Sequence, residues 1–198
     1  MFTALQTLLN SVAVSFDLPI LEWIQEHLQC TFLDKTMPIV TLFGDGGVFW
    51  IGVAVLLLFF AKYRKTGFSM GMALVLGLLV CNITLKPLVA RIRPYDLQAQ
   101  LGKEIILLIK AQSDYSFPSG HTIASFEACT VLMLHDKRMG IPATVLAILI
   151  AFSRLYLYVH YPTDVLVSLV LGILFGLLGN FLVDKIYNKW VYKGKYAE

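Results

Sequence analysis

The sequence predicts an all-α integral membrane protein, a bundle of five or six transmembrane helices with N-terminal amphipathic helices. Of the 198 residues, 58% are hydrophobic and only 15% are charged, and the mean hydropathy is +0.73. Soluble domains carry about 25% charged residues, so this composition favours the bilayer. A helix needs about 20 apolar residues to cross the hydrocarbon core. Five apolar runs reach or approach this length, at residues 48–61, 68–85, 121–134, 141–159 and 165–183.

The N-terminal region, residues 1–44, contains apolar and amphipathic stretches. Residues 1–16 are largely apolar, and residues 18–28 mix polar and apolar side chains as an amphipathic helix does. Residues 32–43 form another helical stretch, which the Gly-Asp-Gly-Gly sequence at 44–47 ends. These features predict either one further span or two helices lying on the membrane surface.

The distribution of basic residues predicts the orientation of the spans. If the five runs alternate in direction, nine Lys and Arg residues fall on one side of the membrane and seven on the other. Three of those seven belong to polar motifs rather than to ordinary loops. Cytoplasmic loops are enriched in Lys and Arg, so the side with nine is predicted to be cytoplasmic. On the opposite side, Tyr156, Tyr158 and Tyr161 fit an interfacial aromatic belt.

Charge and cysteine content exclude several classes of protein. The net charge of +3 is too small a bias to indicate nucleic-acid binding, and the basic residues lie in short loops. The three cysteines show no Cys-x-x-Cys spacing, so they predict neither a disulfide framework nor a zinc site. The polar motifs must therefore supply any chemistry.

The first motif contains Lys86 and Arg93, which are seven residues apart. On a continuous helix this spacing, about two turns, would put both side chains on one face. Pro87 and Pro94 interrupt the stretch, so its helicity is left open. Arginine offers a planar fork to two phosphate oxygens, and lysine adds a point charge. Two cations placed at the membrane interface are the alternative interpretation.

The second motif, Pro-Ser-Gly-His at residues 118–121, predicts the start of a helix. Ser119 is suited to cap that helix. The free N–H groups and the dipole at a helix start bind anions, and Gly120 lets an anion approach the backbone. His121 would then lie beside the anion. A simple cap with a packed histidine is the alternative.

The third motif joins Ser153 and Arg154 to His160 and Asp164. Pro162 suits the first turn of the following helix, so Asp164 would lie in that turn. Its carboxylate can accept the Nδ1 proton of His160, which leaves Nε2 free as a nucleophile. A structural His–Asp hydrogen bond is the alternative.

With alternating spans, all three motifs meet the same membrane surface, opposite the basic loops. Together they offer three cations, two histidines, a carboxylate and a helix start. Phosphoryl transfer depends mostly on positioning and on preorganised positive potential. The combined set therefore predicts a site that grips a phosphate and attacks it with an imidazole.

The pattern Lys86-x6-Arg93-Pro94, Pro-Ser-Gly-His at 118–121 and Arg154-x5-His160-x3-Asp164 resembles the signature of the type 2 phosphatidic-acid phosphatase superfamily. The resemblance implies that His160 forms a phosphohistidine, that Asp164 orients it, and that His121 protonates the leaving oxygen. It also implies that no metal or other cofactor is needed. The implied phosphate-binding residues are Lys86, Arg93, Ser119, Gly120 and Arg154.

The length of 198 residues suits one domain, which we expect to be a single membrane-embedded phosphatase domain over residues 1–198. It would comprise the N-terminal helices (1–44), a catalytic helical core (45–184) and a basic cytoplasmic tail (185–198). We expect a multi-pass protein of the plasma membrane with its active site on the extracytoplasmic face. The oligomeric state and the role of Glu127, an acid in the third run, are left open.

The expected substrate is a membrane lipid phosphate or diphosphate. Undecaprenyl diphosphate is preferred because that carrier is recycled on the outer face, and phosphatidylglycerol phosphate or phosphatidic acid is the alternative. A non-hydrolytic transporter of anionic lipids would explain the three cations. It would not explain two histidines with a carboxylate behind one of them.

Overall fold

The computed structural model describes the backbone of residues 2–195, with side chains for residues 4–187 and 189. It is helical, and no strand occurs in the described part of the chain. In chain order the α-helices are α1 (Phe2–Val12), α2 (Leu18–Leu28), α3 (Thr31–Leu42), α4 (Val48–Leu58), α5 (Arg64–Gly77), α6 (Lys86–Val89), α7 (Pro94–Gln100), α8 (Gly120–His135), α9 (Lys137–Tyr156) and α10 (Pro162–Lys195).

Five helical stretches among the described residues are long and apolar enough to cross a membrane. Helix α8 has only 16 residues, which is short for a crossing, but it packs among α5, α9 and α10. The predicted all-helical membrane bundle is therefore confirmed. The five stretches are Ala4–Leu28, Thr31–Leu58, Ala61–Gln100, Lys137–Tyr156 and Pro162–Tyr187.

Contacts between helices give the direction of each one. Helices α8 and α10 run parallel, because Gly172 lies against Phe126 and Gly176 lies against Thr130. Helix α5 runs antiparallel to α10, since Ser69 near its start donates a 3.1 Å hydrogen bond to Asn180. The helices thus alternate in the way that the positions of the apolar runs predict.

The bundle has two chemically different ends. At one end, Lys65 forms a 2.7 Å ion pair with Asp184, and His135 lies 2.8 Å from Asn180. We call this the basic end, comprising residues 59–65, 135–138 and 180–189. The opposite end, which we call the motif end, comprises residues 86–121 and 153–164 and contains all three polar motifs.

The first motif does not lie on one continuous helix. Helix α5 continues as a π-helix, Leu78–Leu85, and then as α6, which ends where Ala90 takes a left-handed conformation (φ 49°). Helix α7 starts afresh at Pro94, in the first turn where proline is tolerated. Lys86 and Arg93 are therefore brought together by a break in the chain rather than by helical spacing.

A second break in the helical structure lies between α3 and α4, which belong to one apolar stretch, Thr31–Leu58. The sequence predicted the two halves of this stretch as separate helices. Gly46 (φ 57°) and Gly47 (φ 67°) adopt left-handed conformations here, which glycine takes without strain. The turn is close to α8, because a Cβ on Gly44 would lie 2.6 Å from His121 Cδ2. The break thereby brings Asp45 to the motif end.

The N-terminal helices form one stretch, since a π-helical turn at Ala13–Asp17 connects α1 to α2. This stretch packs on the motif end, where Leu21 joins a buried cluster with Tyr156, Tyr158 and Tyr161. Gln25 donates a 2.8 Å hydrogen bond to the Tyr156 carbonyl. The three tyrosines are no more than 2% exposed, so they form a core beneath this stretch rather than an interfacial belt.

The predicted basic tail continues the last helix. Helix α10 extends from Pro162 to Lys195, so most of the segment 185–198 is helical. Residues 196–198 lie outside the described residues, as do the side chains of Lys193 and Lys195. The predicted division into 1–44, 45–184 and 185–198 stays a prediction.

We expect Gly172→Ala to lower the melting temperature of the purified protein in detergent. A Cβ at this position would lie 2.7 Å from Phe126 Cβ and 2.9 Å from the Ile123 carbonyl oxygen. Overpacking of this kind costs about 1–3 kcal/mol. Gly52→Ala is the matched control, because nothing lies within 4 Å of its added Cβ. Its melting temperature should stay or rise, and equal melting of both variants would contradict a tight α8–α10 contact.

Candidate active site

One cavity of about 1050 Å³ brings most of the predicted site together at the motif end. It continues along α4 and α5, past apolar residues such as Val55 and Phe68, toward the basic end. Ser119 and Asp164 are fully buried and are not among the lining residues. The six predicted site residues that line the cavity are Lys86, Arg93, Gly120, His121, Arg154 and His160.

His160 lies in the turn between α9 and α10 and is only 1% exposed. Its Nε2 is 3.2 Å from Nη1 of Arg93. A guanidinium only donates hydrogen bonds, so Nε2 accepts, and the proton of the neutral ring lies on Nδ1. Burial and the positive charges of Arg93 and Arg154 hold the pKa of His160 well below its usual range. The ring is therefore neutral at neutral pH, with its lone pair on Nε2.

The other ring nitrogen of His160 faces Asp164. Its Nδ1 is 3.6 Å from Asp164 Oδ2 and has no hydrogen-bond partner among the described residues. This separation exceeds an ordinary N–H···O hydrogen bond. The carboxylate is behind the ring, as the motif spacing predicts, and the predicted hydrogen bond is longer than an ordinary one.

Asp164 is itself fixed by three donors. Arg91 Nη1 donates to Oδ1 at 2.5 Å. Ser116 Oγ donates to Oδ2 at 2.5 Å, and the Tyr161 N–H donates to the same oxygen at 3.2 Å. Because Arg91, Ser116 and Asp164 are all at least 98% buried, water does not compete for these bonds. The carboxylate therefore has one defined position.

Arg93 is the most highly coordinated cation of the site. Its Nη1 donates to the Val159 carbonyl at 2.6 Å, and its Nε donates to the Asp114 carbonyl at 3.0 Å. Its Nη2 pairs with the Asp114 carboxylate at 2.5 Å. These bonds hold the guanidinium against the Nε2 side of His160.

Asp114 bridges the two cations of the first motif. While one carboxylate oxygen pairs with Arg93, the other pairs with Lys86 Nζ at 2.5 Å. Burial raises the pKa of Asp114, but the hydrogen bonds and charges of Lys86 and Arg93 outweigh this and lower it to about 2. The carboxylate is therefore ionised at neutral pH. It occupies the position where two positive side chains offer donors to an anion.

Ser119 caps α8, as predicted. Its Oγ accepts from the Thr122 N–H at 3.5 Å and from the Thr122 hydroxyl at 3.0 Å. Its own N–H donates to Ser168 at 2.8 Å. The following residue, Gly120, approaches Asn82 so closely that a Cβ there would lie 3.2 Å from the amide oxygen. Phosphate binding by Ser119 and Gly120 stays a prediction.

His121 and Arg154 both line the cavity. His121 Nε2 is 2.7 Å from Asp45 Oδ1. Arg154 Nη1 donates to the Thr41 hydroxyl at 2.5 Å, and its Nε has no partner among the described residues. Arg154 is thus a buried cation with donor capacity left for an anion.

Glu127 also lines the cavity, two turns below His121 on α8. It is 1% exposed, and its Oε1 has no hydrogen-bond partner among the described residues. It packs directly against Gly77, where a Cβ would overlap the carboxylate. Its role is still unassigned. No group of three or more His, Cys, Asp or Glu in the described part of the chain is placed to hold a metal ion.

Sequence reasoning missed four polar partners of the site: Arg91, Ser116, Asp45 and Asp114. Arg91 belongs to none of the three motifs, and Asp45 lies in the glycine-rich sequence that ends a helix. Ionisable residues next to apolar spans are functional candidates by default, and this signal could have selected Arg91 and Asp45. Ser116 carries no such signal, and Asp114 lies in an ordinary polar loop.

Comparison with known proteins agrees with the motif resemblance. The model of the PAP2 superfamily matches residues 66–187. An undecaprenyl-diphosphatase of Sulfolobus acidocaldarius is 34% identical over 145 residues, which are 73% of this chain and 68% of that protein. Phosphatidylglycerophosphatase B of Bacillus subtilis is 32% identical over 164 residues, which are 76% and 68% of the two chains.

Solved structures support the same relationship. The crystal structure of a transmembrane PAP2-type phosphatidylglycerolphosphate phosphatase from Bacillus subtilis superposes with a TM-score of 0.70 at 27% identity. The alignment covers 93% of each chain. The likeness therefore extends to the N-terminal helices as well as to the motifs.

We expect Asp114→Asn to tighten the binding of orthophosphate by about 3- to 10-fold. The substitution removes the negative charge that now neutralises Lys86 and Arg93, and a charge-assisted hydrogen bond contributes about 1.5–3 kcal/mol before solvent screening. Titration calorimetry of the purified protein would measure the change without relying on turnover. Glu104→Gln, on the same loop, controls for the loss of one negative charge. Weaker binding to Asp114→Asn would show that Asp114 supports the anion rather than competing with it.

Proposed function

Because the chain belongs to the PAP2 superfamily, we propose that this membrane lipid phosphatase hydrolyses undecaprenyl diphosphate to undecaprenyl phosphate through a phosphohistidine at His160. The observation that carries the proposal is the neutral His160 ring, whose Nε2 lone pair lies beside Arg93 in the same cavity as Arg154 and Lys86. A nucleophile and the cations that would hold a phosphate thus share one space.

The first chemical step uses the two histidines. Nε2 of His160 attacks the terminal phosphorus, and the bond from phosphorus to the bridging oxygen breaks. His121, in the protonated state, donates its proton to that leaving oxygen, and the Asp45 carboxylate lies 2.7 Å from its Nε2. The Asp164 carboxylate balances the positive charge that develops on the phosphorylated ring. Undecaprenyl phosphate then leaves.

The second step returns the enzyme to its starting state. A water molecule attacks the phosphohistidine, and His121 accepts a proton from that water. The phosphorus–nitrogen bond breaks, which releases orthophosphate and restores the neutral His160. In both steps Lys86, Arg93 and Arg154 stabilise the negative charge on the equatorial oxygens.

The shape of the cavity supports a lipid with a long apolar chain. From the cations it continues between α4 and α5, lined by residues such as Ile51, Val55, Leu74 and Val75. A polyprenyl chain can lie there while its diphosphate reaches His160. A relative at 34% identity is named for undecaprenyl diphosphate. A phosphatidylglycerol phosphate substrate is the second candidate, supported by the 32% identical relative named for it.

A transporter that binds anionic lipids without cleaving them is not favoured. Transport would require the cations but gives no reason for a neutral histidine with a buried carboxylate behind it. Nor would it require a second histidine paired with Asp45.

We place the motif end on the extracytoplasmic face and the C-terminus in the cytoplasm. The support is the positive-inside rule, since the basic end concentrates cations that belong to no motif. The described cations there are Lys62, Arg64, Lys65, Lys137, Arg138, Lys185 and Lys189. The lipid carrier would then be recycled on the outer face of the plasma membrane.

We expect the purified protein to release phosphate from undecaprenyl diphosphate with a higher kcat/KM than from phosphatidylglycerol phosphate, phosphatidic acid or lipid A. The reason is that one apolar groove suits a lipid with a single hydrophobic chain and a compact polar end. Phosphate release in detergent micelles, with each lipid at the same mole fraction, measures the order. A higher value for phosphatidylglycerol phosphate would select the second candidate, and no release from any of the four would reject the phosphatase proposal.

We expect His160→Ala to lower kcat by at least about 1,000-fold, because the covalent step then has no nucleophile. Asp164→Asn should lower kcat less and should keep phosphate binding, since the cations remain. His27→Ala removes an exposed histidine from α2, away from the motifs, and is the control. Initial-rate kinetics together with the melting temperature separate lost chemistry from lost folding. Full turnover by folded His160→Ala would remove His160 as the nucleophile.

A further inference from the structure

Asp17 lies on the N-terminal stretch, outside the residues that match the family model. It is fully buried, although its neighbours in sequence are apolar. We propose that Asp17 is a positioning residue for the reaction at His160 and acts through Arg91 and Asp164. The inference rests on the proposed function, because it assigns a further residue to the same site.

The first link is the guanidinium of Arg91, which bridges two carboxylates. Its Nη2 donates to Asp17 Oδ2 at 2.7 Å, and its Nη1 donates to Asp164 Oδ1 at 2.5 Å. The same guanidinium stacks on the Tyr161 ring, 3.8 Å from its centroid. With its two ends fixed and one face covered, Arg91 can present Nη1 to Asp164 in only one direction.

The second link is Thr163, the residue before Asp164. Its N–H donates to Asp17 Oδ1 at 2.9 Å, and its hydroxyl donates to Asp17 Oδ2 at 2.8 Å. These bonds satisfy a free N–H in the first turn of α10, as a helix cap does. Asp17 therefore fixes both the cation that binds Asp164 and the backbone that carries Asp164.

The charge balance gives Asp17 a second effect. Arg91 shares one positive charge between two buried carboxylates, so the three side chains together keep one negative charge. That charge lies behind His160, where the ring becomes positive during the reaction. If Asp17 were neutral, Arg91 would neutralise Asp164, and the positive ring would lose its counter-charge.

Other ionisable groups lie around the network formed by Asp17, Arg91, Thr163 and Asp164. The ionisable groups that face Asp17 and Arg91 are Asp164 and Tyr161. The ionisable groups around the His160 ring are Asp164, Arg93, Arg154, Lys86, Asp114 and His121. Five of these are carried by helices or loops other than α10. Substitution of Asp17 leaves these charged groups unchanged, so a shift of the pH profile reports the loss of the Asp17 charge.

The test compares Asp17→Asn with the unsubstituted protein. Asparagine keeps the shape and an acceptor for Thr163 but removes the charge. We expect kcat to fall about 10- to 100-fold, as misplacement of a reacting group by about 1 Å does, with KM changed less than about twofold. One negative charge fewer disfavours the protonated His160 ring, so the acidic limb of the kcat/KM profile should move to lower pH.

Three further variants complete the experiment. Asp17→Glu restores the charge and should recover part of kcat and the original acidic limb. Glu26→Gln removes an exposed charge from the same helix and should match the unsubstituted protein in both measurements. Melting temperatures verify folding, and Asp17→Ser, which keeps a hydroxyl toward Thr163, replaces Asp17→Asn should the latter not fold.

The outcomes separate this inference from the proposed function. If the unsubstituted protein is active and Asp17→Asn has the same kcat and pH profile, Asp17 is not a positioning residue. A fall in kcat without a shifted acidic limb, and without recovery in Asp17→Glu, would assign Asp17 a purely structural role and also overturn the inference. If the unsubstituted protein releases no phosphate from any lipid, the proposed function fails and this inference fails with it.

Discussion

A neutral histidine among buried cations is the constraint on which the structure of the motif end depends. Burying an unpaired charge is costly, and the cations of this end are satisfied to different degrees. Arg91 has two carboxylates, Arg93 has a carboxylate and three carbonyls, and Lys86 has one carboxylate. Arg154 has one hydroxyl and an unpartnered Nε. The cations thus range from Arg91, which two carboxylates bind, to Arg154, which lines the cavity and has donor capacity left for an anion.

The fold produces this arrangement by breaking helices at the level of the motif end. Irregular backbone is tolerated at membrane depth only where it is buried in protein or lines a cavity. The turn at 45–47, the segment 90–93 and the turn 157–161 meet this condition, and each delivers a side chain to the site: Asp45, Arg93 and His160 respectively. Helix α8 begins at the same level and thereby brings His121 to the site. Away from these turns the apolar stretches stay helical, with π-helical segments at Ala13–Asp17 and Leu78–Leu85, so their backbone groups are satisfied within the helices.

Much of this could be predicted from the sequence, because the information was local. Hydropathy predicted the spans, loop charge predicted their orientation, and the motifs with their family resemblance predicted the eight site residues, six of which line one cavity. The sequence did not predict contacts between residues that are far apart in the chain. The Arg91 bridge joins residues more than 70 positions apart, and Asp17 has no motif to mark it. In the sequence, the tyrosines at 156, 158 and 161 resemble an interfacial belt. In the structure the N-terminal stretch covers them, and the sequence pattern does not predict where that stretch packs. Pro87 and Pro94 signalled the break in the first motif, but only the fold could show that the break brings Lys86 and Arg93 together.

Asp114 connects the electrostatics of the site to turnover. Its carboxylate lies between Lys86 and Arg93, where we expect a phosphate group to bind. Its side chain is 51% exposed, so it can leave toward solvent at little steric cost. A tethered anion has a high effective concentration, so it competes with free orthophosphate far better than a dissolved carboxylate would. A lipid diphosphate brings more charge and an apolar chain, and it can displace the carboxylate where orthophosphate alone does so poorly. We therefore expect this contact to weaken binding of the inorganic product more than binding of the lipid substrate, which favours product release after each cycle.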